Sequence, residues 1–271
     1  MSQAVFQNYV VALIDFLNQG EELDALNRIP DEEPEKARFI AAADKALIPI
    51  DHFRKLFEDF ARSAHAAGQF EPLMTVEVKR QCFRDTTITY SPLRNAAGEL
   101  TLAGVFNALV ATGCTLLASL ASGVPFRGGI EVGVGTEFFP GEIYGPVLRR
   151  AYYLESKVAD HPRVVLGNGV TEYLQDQAEL PASDRDSPCR REVARLCHSF
   201  ISIDEDGMPI VDYLGRGFCD FTSAVDRQAQ IAQALEFVDS GHKRFMAEGN
   251  TKLALRYARL KQYFLARRNG A

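Results

Sequence analysis

No excess of positive charge marks this chain: 30 lysines and arginines are outweighed by 36 aspartates and glutamates, a formal charge of −6. A general binder of nucleic-acid polymers needs a basic face to displace counterions, so that class is not expected. A small anionic substrate remains compatible, because a local pocket can be positive on an acidic protein. Cysteines are few and scattered, five in all, at positions 82, 114, 189, 197 and 219. A chain of this length needs no covalent staples, and the odd set reads as reduced thiols of a cytoplasmic protein. Cys189, Cys197 and His198 lack a close Cys-x-x-Cys pair and a fourth ligand, so zinc is not expected there. No apolar run comes near the roughly 18 residues of a membrane span, so no membrane partner is expected. The N-terminus has neither the basic start nor the small-residue cleavage site of a secretory signal. Repeats and low-complexity tracts are also missing.

What is present is ordinary globular composition over 271 residues, 46% hydrophobic and 24% charged, enough for one sizeable domain with appended elements or for two small domains. Residues 5 to 15 read as a buried strand, and an acidic helix is expected from Glu21. From Pro34 to about Ala67 apolar residues recur at helical spacing, with Phe53, Leu56, Phe57 and Phe60 on one face. Residues 73 to 90 predict two strands joined around Arg84-Asp85. An apolar helix follows over 101 to 122, then a strand from Phe126 to Gly133, a loop from Gly135 to Gly141, and a helix from Pro146 to Val158. A short strand is expected at 163 to 166, and the polar stretch 176 to 190 reads as a loop. Phe200 to Tyr213 predicts a hairpin turned at Asp206-Gly207, followed by helices over 224 to 248 and 250 to 267. The pattern is α+β: a domain over residues 1–175, with residues 176–271 forming a hairpin and helical pair packed on the core or on a partner.

Two carboxylates fall at strand ends, Asp15 and Asp85. If the first strand lies beside the hairpin, they converge. Paired carboxylates with open positions hold magnesium or manganese and leave room for phosphate oxygens. Two such ions activate an attacking hydroxyl and stabilise a leaving phosphate. Asn18, with Gln19-Gly20, would offer backbone N–H groups to a triphosphate. Downstream stand Arg127-Gly128-Gly129-Ile130-Glu131-Val132-Gly133 and the block Gly145 to Glu155, containing Gly-Pro and Ala-Tyr-Tyr-Leu-Glu.

With these blocks in this order, the chain resembles a class III nucleotidyl cyclase catalytic domain over roughly residues 5 to 167. The resemblance implies a ferredoxin-like sheet flanked by helices, two divalent metal ions held by Asp15 and Asp85, and a head-to-tail homodimer with active sites at the shared interface. The departures from purine cyclases are informative. Their lysine four residues before the second aspartate is Gln81 here, and their second base-reading acid is Glu142. Their helix asparagine and arginine are Arg149 and Tyr153. The bacterial pyrimidine cyclases of the Pycsar antiphage system are similar to this chain in Arg-Gly-Gly-Ile, in Gly-Pro, in Ala-Tyr-x-Leu-Glu and in the C-terminal hairpin. That resemblance implies conversion of UTP or CTP, with UTP favoured, to a 3′,5′-cyclic nucleotide acting on a separately encoded effector. Gln81, Glu142 and Tyr144 are the candidate base-pocket residues, and Arg149 or Arg84 the candidate cation for charge on the transferring phosphate. Two alternatives stay open. One is an inactive cyclase fold serving as a nucleotide sensor or dimerisation module. The other is a polymerase-like palm, disfavoured because the Gly-Gly-Asp/Glu-Glu/Asp-Phe hairpin is absent.

Overall fold

Strand β1 (Phe6–Phe16) is apolar along most of its length because both of its faces are covered. Val10, Ala12, Ile14 and Phe16 enter one hydrophobic cluster, while Tyr9, Val11 and Leu13 enter a second on the opposite face. Successive side chains of a strand point to opposite sides, so a strand sandwiched between two layers shows no polar alternation. The computed structural model describes residues 5–17, 28–66, 77–83, 85–95, 97–181, 187–221 and 227–268. The acidic helix expected from Glu21 falls mainly on residues 18–27, outside the described residues, as do residues 73–76 of the expected hairpin.

After β1 come helix α1 (Glu33–Ala66), the hairpin β2 (Lys79–Phe83) and β3 (Thr86–Pro92), helix α2 (Ala103–Ala121) and strand β4 (Phe126–Phe139). β1 lies between β3 and β4 and is antiparallel to both, with β2 outside β3. A βαββαβ chain in this strand order is ferredoxin-like. The chain is therefore α+β, with a central, mostly antiparallel sheet flanked by helices. β6 (Val164–Leu166) joins β4 in parallel, and the C-terminal hairpin β7 (Ile201–Ile203) and β8 (Pro209–Val211) continues the same sheet through a Val165–Ile210 pairing. One hydrophobic cluster reaches from Val10 through Leu166 to Phe264.

α2 corrects one expectation. By length and composition it could cross a membrane, yet it is wholly buried between the sheet and its neighbouring helices. Its threonine hydroxyls are satisfied within the helix: Thr112 donates to the Ala108 carbonyl and Thr115 to the Ala111 carbonyl, each at 2.6 Å. Such back-bonding lets threonine sit in a dry core at low cost.

Two expected loops are regular structure. β4 continues through the stretch Gly135 to Phe139, because Thr136 pairs with both Phe6 and Tyr144 of the short strand β5 (Glu142–Tyr144). The reversal is made by Pro140-Gly141, with Gly141 at φ 86°. Between β6 and β7 lie α4 (Asn168–Ala178) and α5 (Ser187–Ser199), the latter beginning inside the stretch read as a loop. α4 starts without a side-chain cap of its own. The buried Glu131 carboxylate of β4 serves instead, in hydrogen-bond contact with the backbone N–H groups of Val132 and Gly169. A carboxylate at a helix N-terminus is stabilised by the exposed N–H groups there.

Three helices close the chain: α6 (Arg216–Phe221), α7 (Arg227–Ala247) and α8 (Thr251–Arg268). Between the β7–β8 turn and α8 lies a cavity of about 270 Å³ whose lining includes His161, Arg163, Asp204, Arg259 and Arg267. His161 is 5% exposed, and its Nε2 stands 3.8 Å from Asp204. Burial first, and the Arg163 cation second, push its pKa down to about 4 from 6.5. As pH falls below 6.5 the unfolded chain takes this proton before the folded one. Stability is therefore lost between 6.5 and about 4, by up to ~3 kcal/mol. Glu155 works in the opposite sense: pushed up to about 7 by burial, it loses its stabilising effect as pH rises from the ordinary carboxyl range to 7. Urea midpoints for the parent and His161→Gln across this window separate the two. The parent should lose more stability on acidification than the variant, and parallel curves would contradict the burial of a neutral imidazole.

Candidate active site

β1 runs out at Asp15 and Phe16. There the register sets Asp15 opposite Thr86 on β3 and opposite Arg127 on β4. Paired positions on adjacent strands share a face, so all three point to the side covered by α3 (Pro146–Tyr153) and the π-helical turn that continues it (Leu154–Val158). Thr86 donates its hydroxyl to Asp15 Oδ1 at 2.9 Å. Arg127 Nη2 stands 3.7 Å from Asp15 Oδ2, and Arg127 Nε donates to Glu155 Oε1 at 2.7 Å. Glu155, in the π-turn, is 2% exposed.

This approach of helix to sheet depends on Gly129. A Cβ there would lie 2.7 Å from Leu154 Cβ and 2.8 Å from the Glu155 backbone nitrogen. Gly129 thus lets α3 and its π-turn lie directly on β4 and press Glu155 against Arg127.

Electrostatics at this end are unusual. Burial raises the Asp15 pKa, the Thr86 hydrogen bond opposes this, and the negative charge of Asp85 raises it further. Asp85, in the turn before β3, is therefore close enough for the two carboxylates to repel one another. Glu155 is held up at about 7, mainly by burial, with Arg127 opposing and Asp15 adding to the rise.

The resembled family would place divalent ions here. Asp15 and Asp85 fit in kind: both are hard oxygen donors, and a cation would relieve the repulsion between them. Among the described residues no group of three or more His, Cys, Asp or Glu side chains is arranged to hold a metal. Two carboxylates are fewer donors than a divalent ion's full shell requires.

The other sequence-derived candidates are distributed. Gln81 on β2 is opposite Ile88, which is opposite Leu13, so it shares the Asp15 face two strands away. Its side-chain oxygen is buried without a hydrogen-bond partner among the described residues. Glu142 and Tyr144 lie at the far end of β4. From the Asp15–Arg127 pair to the Phe6–Thr136 pair is roughly 30 Å along the strand, so one copy of the chain does not bring them to Asp15. There the Tyr144 hydroxyl donates to Glu142 at 2.8 Å. Arg149 is exposed on α3. Asn18 and Arg84 lie outside the described residues.

Sequence reading gave no role to Thr86 or to the Arg127–Glu155 pair, although Arg127 and Glu155 stood in the quoted blocks. It also passed over a network on the Gln81 face. Lys79 donates to Glu137 at 2.6 Å, and Glu137 also accepts from Tyr90 at 3.1 Å and from the Gly141 N–H at 2.6 Å. A threonine beside Asp85, and a lysine two residues before Gln81 on the same strand face, were the available signals.

No protein-family model matches the chain, and no curated protein does. Among solved structures, it is similar to the monomeric guanylyl cyclase domain of the RhoGC fusion protein from the aquatic fungus Blastocladiella emersonii. That match has a TM-score of 0.43 and 10% identity over 65% of this chain and 90% of that one. It is also similar to a bacterial light-regulated adenylyl cyclase, with a TM-score of 0.40 and 10% identity over 73% of this chain and 59% of that one. Likeness at this level carries no argument about family or activity, and the residues around Asp15 have to speak for themselves.

Proposed function

We propose that this chain is a nucleotide cyclase that converts a pyrimidine ribonucleoside triphosphate, UTP or CTP, into its 3′,5′-cyclic monophosphate and pyrophosphate. What supports the reading is Asp15 at the end of β1, paired with Thr86, while Asp85 stands in the turn just before Thr86 and its charge raises the Asp15 pKa. A cation site beside an open sheet face suits a triphosphate. Divalent ions, when bound to Asp15 and Asp85, would neutralise phosphate charge and lower the pKa of the attacking hydroxyl.

The chain's own residues then have to bind and orient. The substrate's O3′ forms a bond to its own α-phosphorus, and the bond from that phosphorus to the bridging oxygen breaks, releasing pyrophosphate. No covalent enzyme intermediate is needed, so positioning and electrostatics supply most of the acceleration. Gln81, whose buried oxygen has no partner among the described residues, is suited to accept from a base N–H group. Glu142 and Tyr144 would reach such a site from a second copy packed head to tail, because their own Asp15 lies at the other end of the sheet, and Arg149, exposed on α3, is the candidate cation. Base choice, the dimer, and a messenger role toward a separate effector in defence against phage all belong to this proposal.

An inactive nucleotide sensor is the second reading. It is favoured by the commitment of Arg127, a cation at the Asp15 end, to Glu155. The deciding experiment incubates the protein with each of the four ribonucleoside triphosphates and manganese and identifies products by mass spectrometry, beside Asp85→Ala. A cyclic pyrimidine nucleotide made by the parent and not by the variant is expected. Triphosphate binding with no turnover would select the sensor, and linear dinucleotides would reject both readings.

A further inference from the structure

We infer that Glu155 is a positioning residue that keeps the Arg127 guanidinium off Asp15, so that the Asp15 carboxylate stays available to a divalent cation. This rests on the reading of Asp15 as a cation ligand given above.

Arg127 sits between two carboxyl groups at unequal distances, 2.7 Å from Glu155 and 3.7 Å from Asp15. The nearer contact is a directed hydrogen bond from Nε, and the farther one lies outside hydrogen-bond range. Glu155 is also the more buried partner, its side chain 3% exposed against 24% for Asp15. A guanidinium paired with a desolvated carboxylate is strongly held. Thr86 holds the other Asp15 oxygen, so Oδ2 is the oxygen at issue. An arginine and a metal ion compete for the same carboxylate lone pairs. While Glu155 holds the guanidinium, Arg127 engages Asp15 Oδ2 only loosely.

Neutralising Glu155 removes the nearer anion from a cation that stays charged. Arg127 then has Asp15 as its remaining anionic partner, and the cation it would admit is excluded. Neutralising Arg127 as well removes the competitor. The two substitutions should therefore act in opposite directions on cation binding, whereas a pair serving packing alone gives two losses that do not cancel.

The test measures Mn²⁺ binding to the full chain, without nucleotide, by the loss of the free-ion electron paramagnetic resonance signal at mildly alkaline pH. The parent, Asp15→Asn, Glu155→Gln, Arg127→Gln and the double variant are compared, with thermal melts of each. Glu155→Gln is isosteric, and it should weaken Mn²⁺ binding by about fivefold or more, with Arg127→Gln restoring affinity in the double variant to within about twofold of the parent. If the parent binds Mn²⁺ through Asp15 but Glu155→Gln binds equally well, or the double variant is no better than Glu155→Gln, the inference is overturned and the cation site stands. If the parent binds no Mn²⁺, or binds it independently of Asp15, the cation reading fails and takes the inference with it. Should Glu155→Gln not fold, Arg127→Gln decides alone: weaker Mn²⁺ binding in that variant overturns the inference, and equal or tighter binding supports it.

Discussion

Asp15→Asn is expected to leave the protein folded while lowering cyclic-nucleotide formation by about 10²–10³-fold, the scale for removing one group that stabilises transition-state charge. The amide oxygen of asparagine can still accept the Thr86 hydroxyl now 2.9 Å from Asp15 Oδ1, so the strand end keeps its geometry. What disappears is the negative charge. The fold itself disfavours that charge, since burial and Asp85 both raise the Asp15 pKa. At neutral pH the variant should therefore melt at the same temperature as the parent or slightly above it. Turnover with manganese, followed by mass spectrometry, and a melting curve check the two halves together. Turnover at the parental rate would refute a role for Asp15 in the chemistry. A collapse in melting temperature would instead make Asp15 a structural residue.

The largest loss of stability is expected from Arg163→Ala, far from the candidate site. Arg163 is 4% exposed. Its guanidinium donates to Asp206 at 2.6 and 3.0 Å, to the Val158 carbonyl at 2.8 Å, and to Asp204. This arginine ties the end of the π-turn and β6 to the β7–β8 turn. Deleting one side of a buried ion pair strands its partners, and about 3–5 kcal/mol is the usual cost. Asp204, largely buried, would lose its neutralising cation, and the Val158 carbonyl a donor. A shift in the urea midpoint of the full chain measures the effect. A loss under about 1 kcal/mol would mean that water replaces the guanidinium without difficulty. Removing Arg163 also removes a charge that depresses the His161 pKa. The acid-side instability of the parent should accordingly be smaller in that variant, once its lower baseline is subtracted.

Much of the fold was legible residue by residue. The apolar run ending at Asp15, the helical spacing around Phe57, the apolar stretch of α2 and the Asp206-Gly207 turn each announced an element through periodicity or turn chemistry. The elements misread share a cause, which is that their signals come from partners distant in sequence. Gly135 and Gly141 suggested a loop, yet Thr136 continues the strand because Phe6 and Tyr144 both pair with it. α4 has no cap in its own sequence, because Glu131 supplies it from β4.

The candidate site divides in the same way. The identities of Asp15, Asp85, Arg127 and Glu155, and the glycines that accompany them, were set out by the linear order of the chain, since chemistry of this kind needs carboxylates at strand ends and bare backbone beside them. Their relations were decided only by tertiary structure. Register alone put Asp15 opposite Thr86 and Arg127. The close seating of α3 on Gly129 alone drove Glu155 into the sheet. The length of β4 alone carried Glu142 and Tyr144 to the opposite end. Local sequence encodes which groups a strand or helix will offer. Which of them touch, and which are kept apart, depends on pairing and packing between segments that no local pattern records.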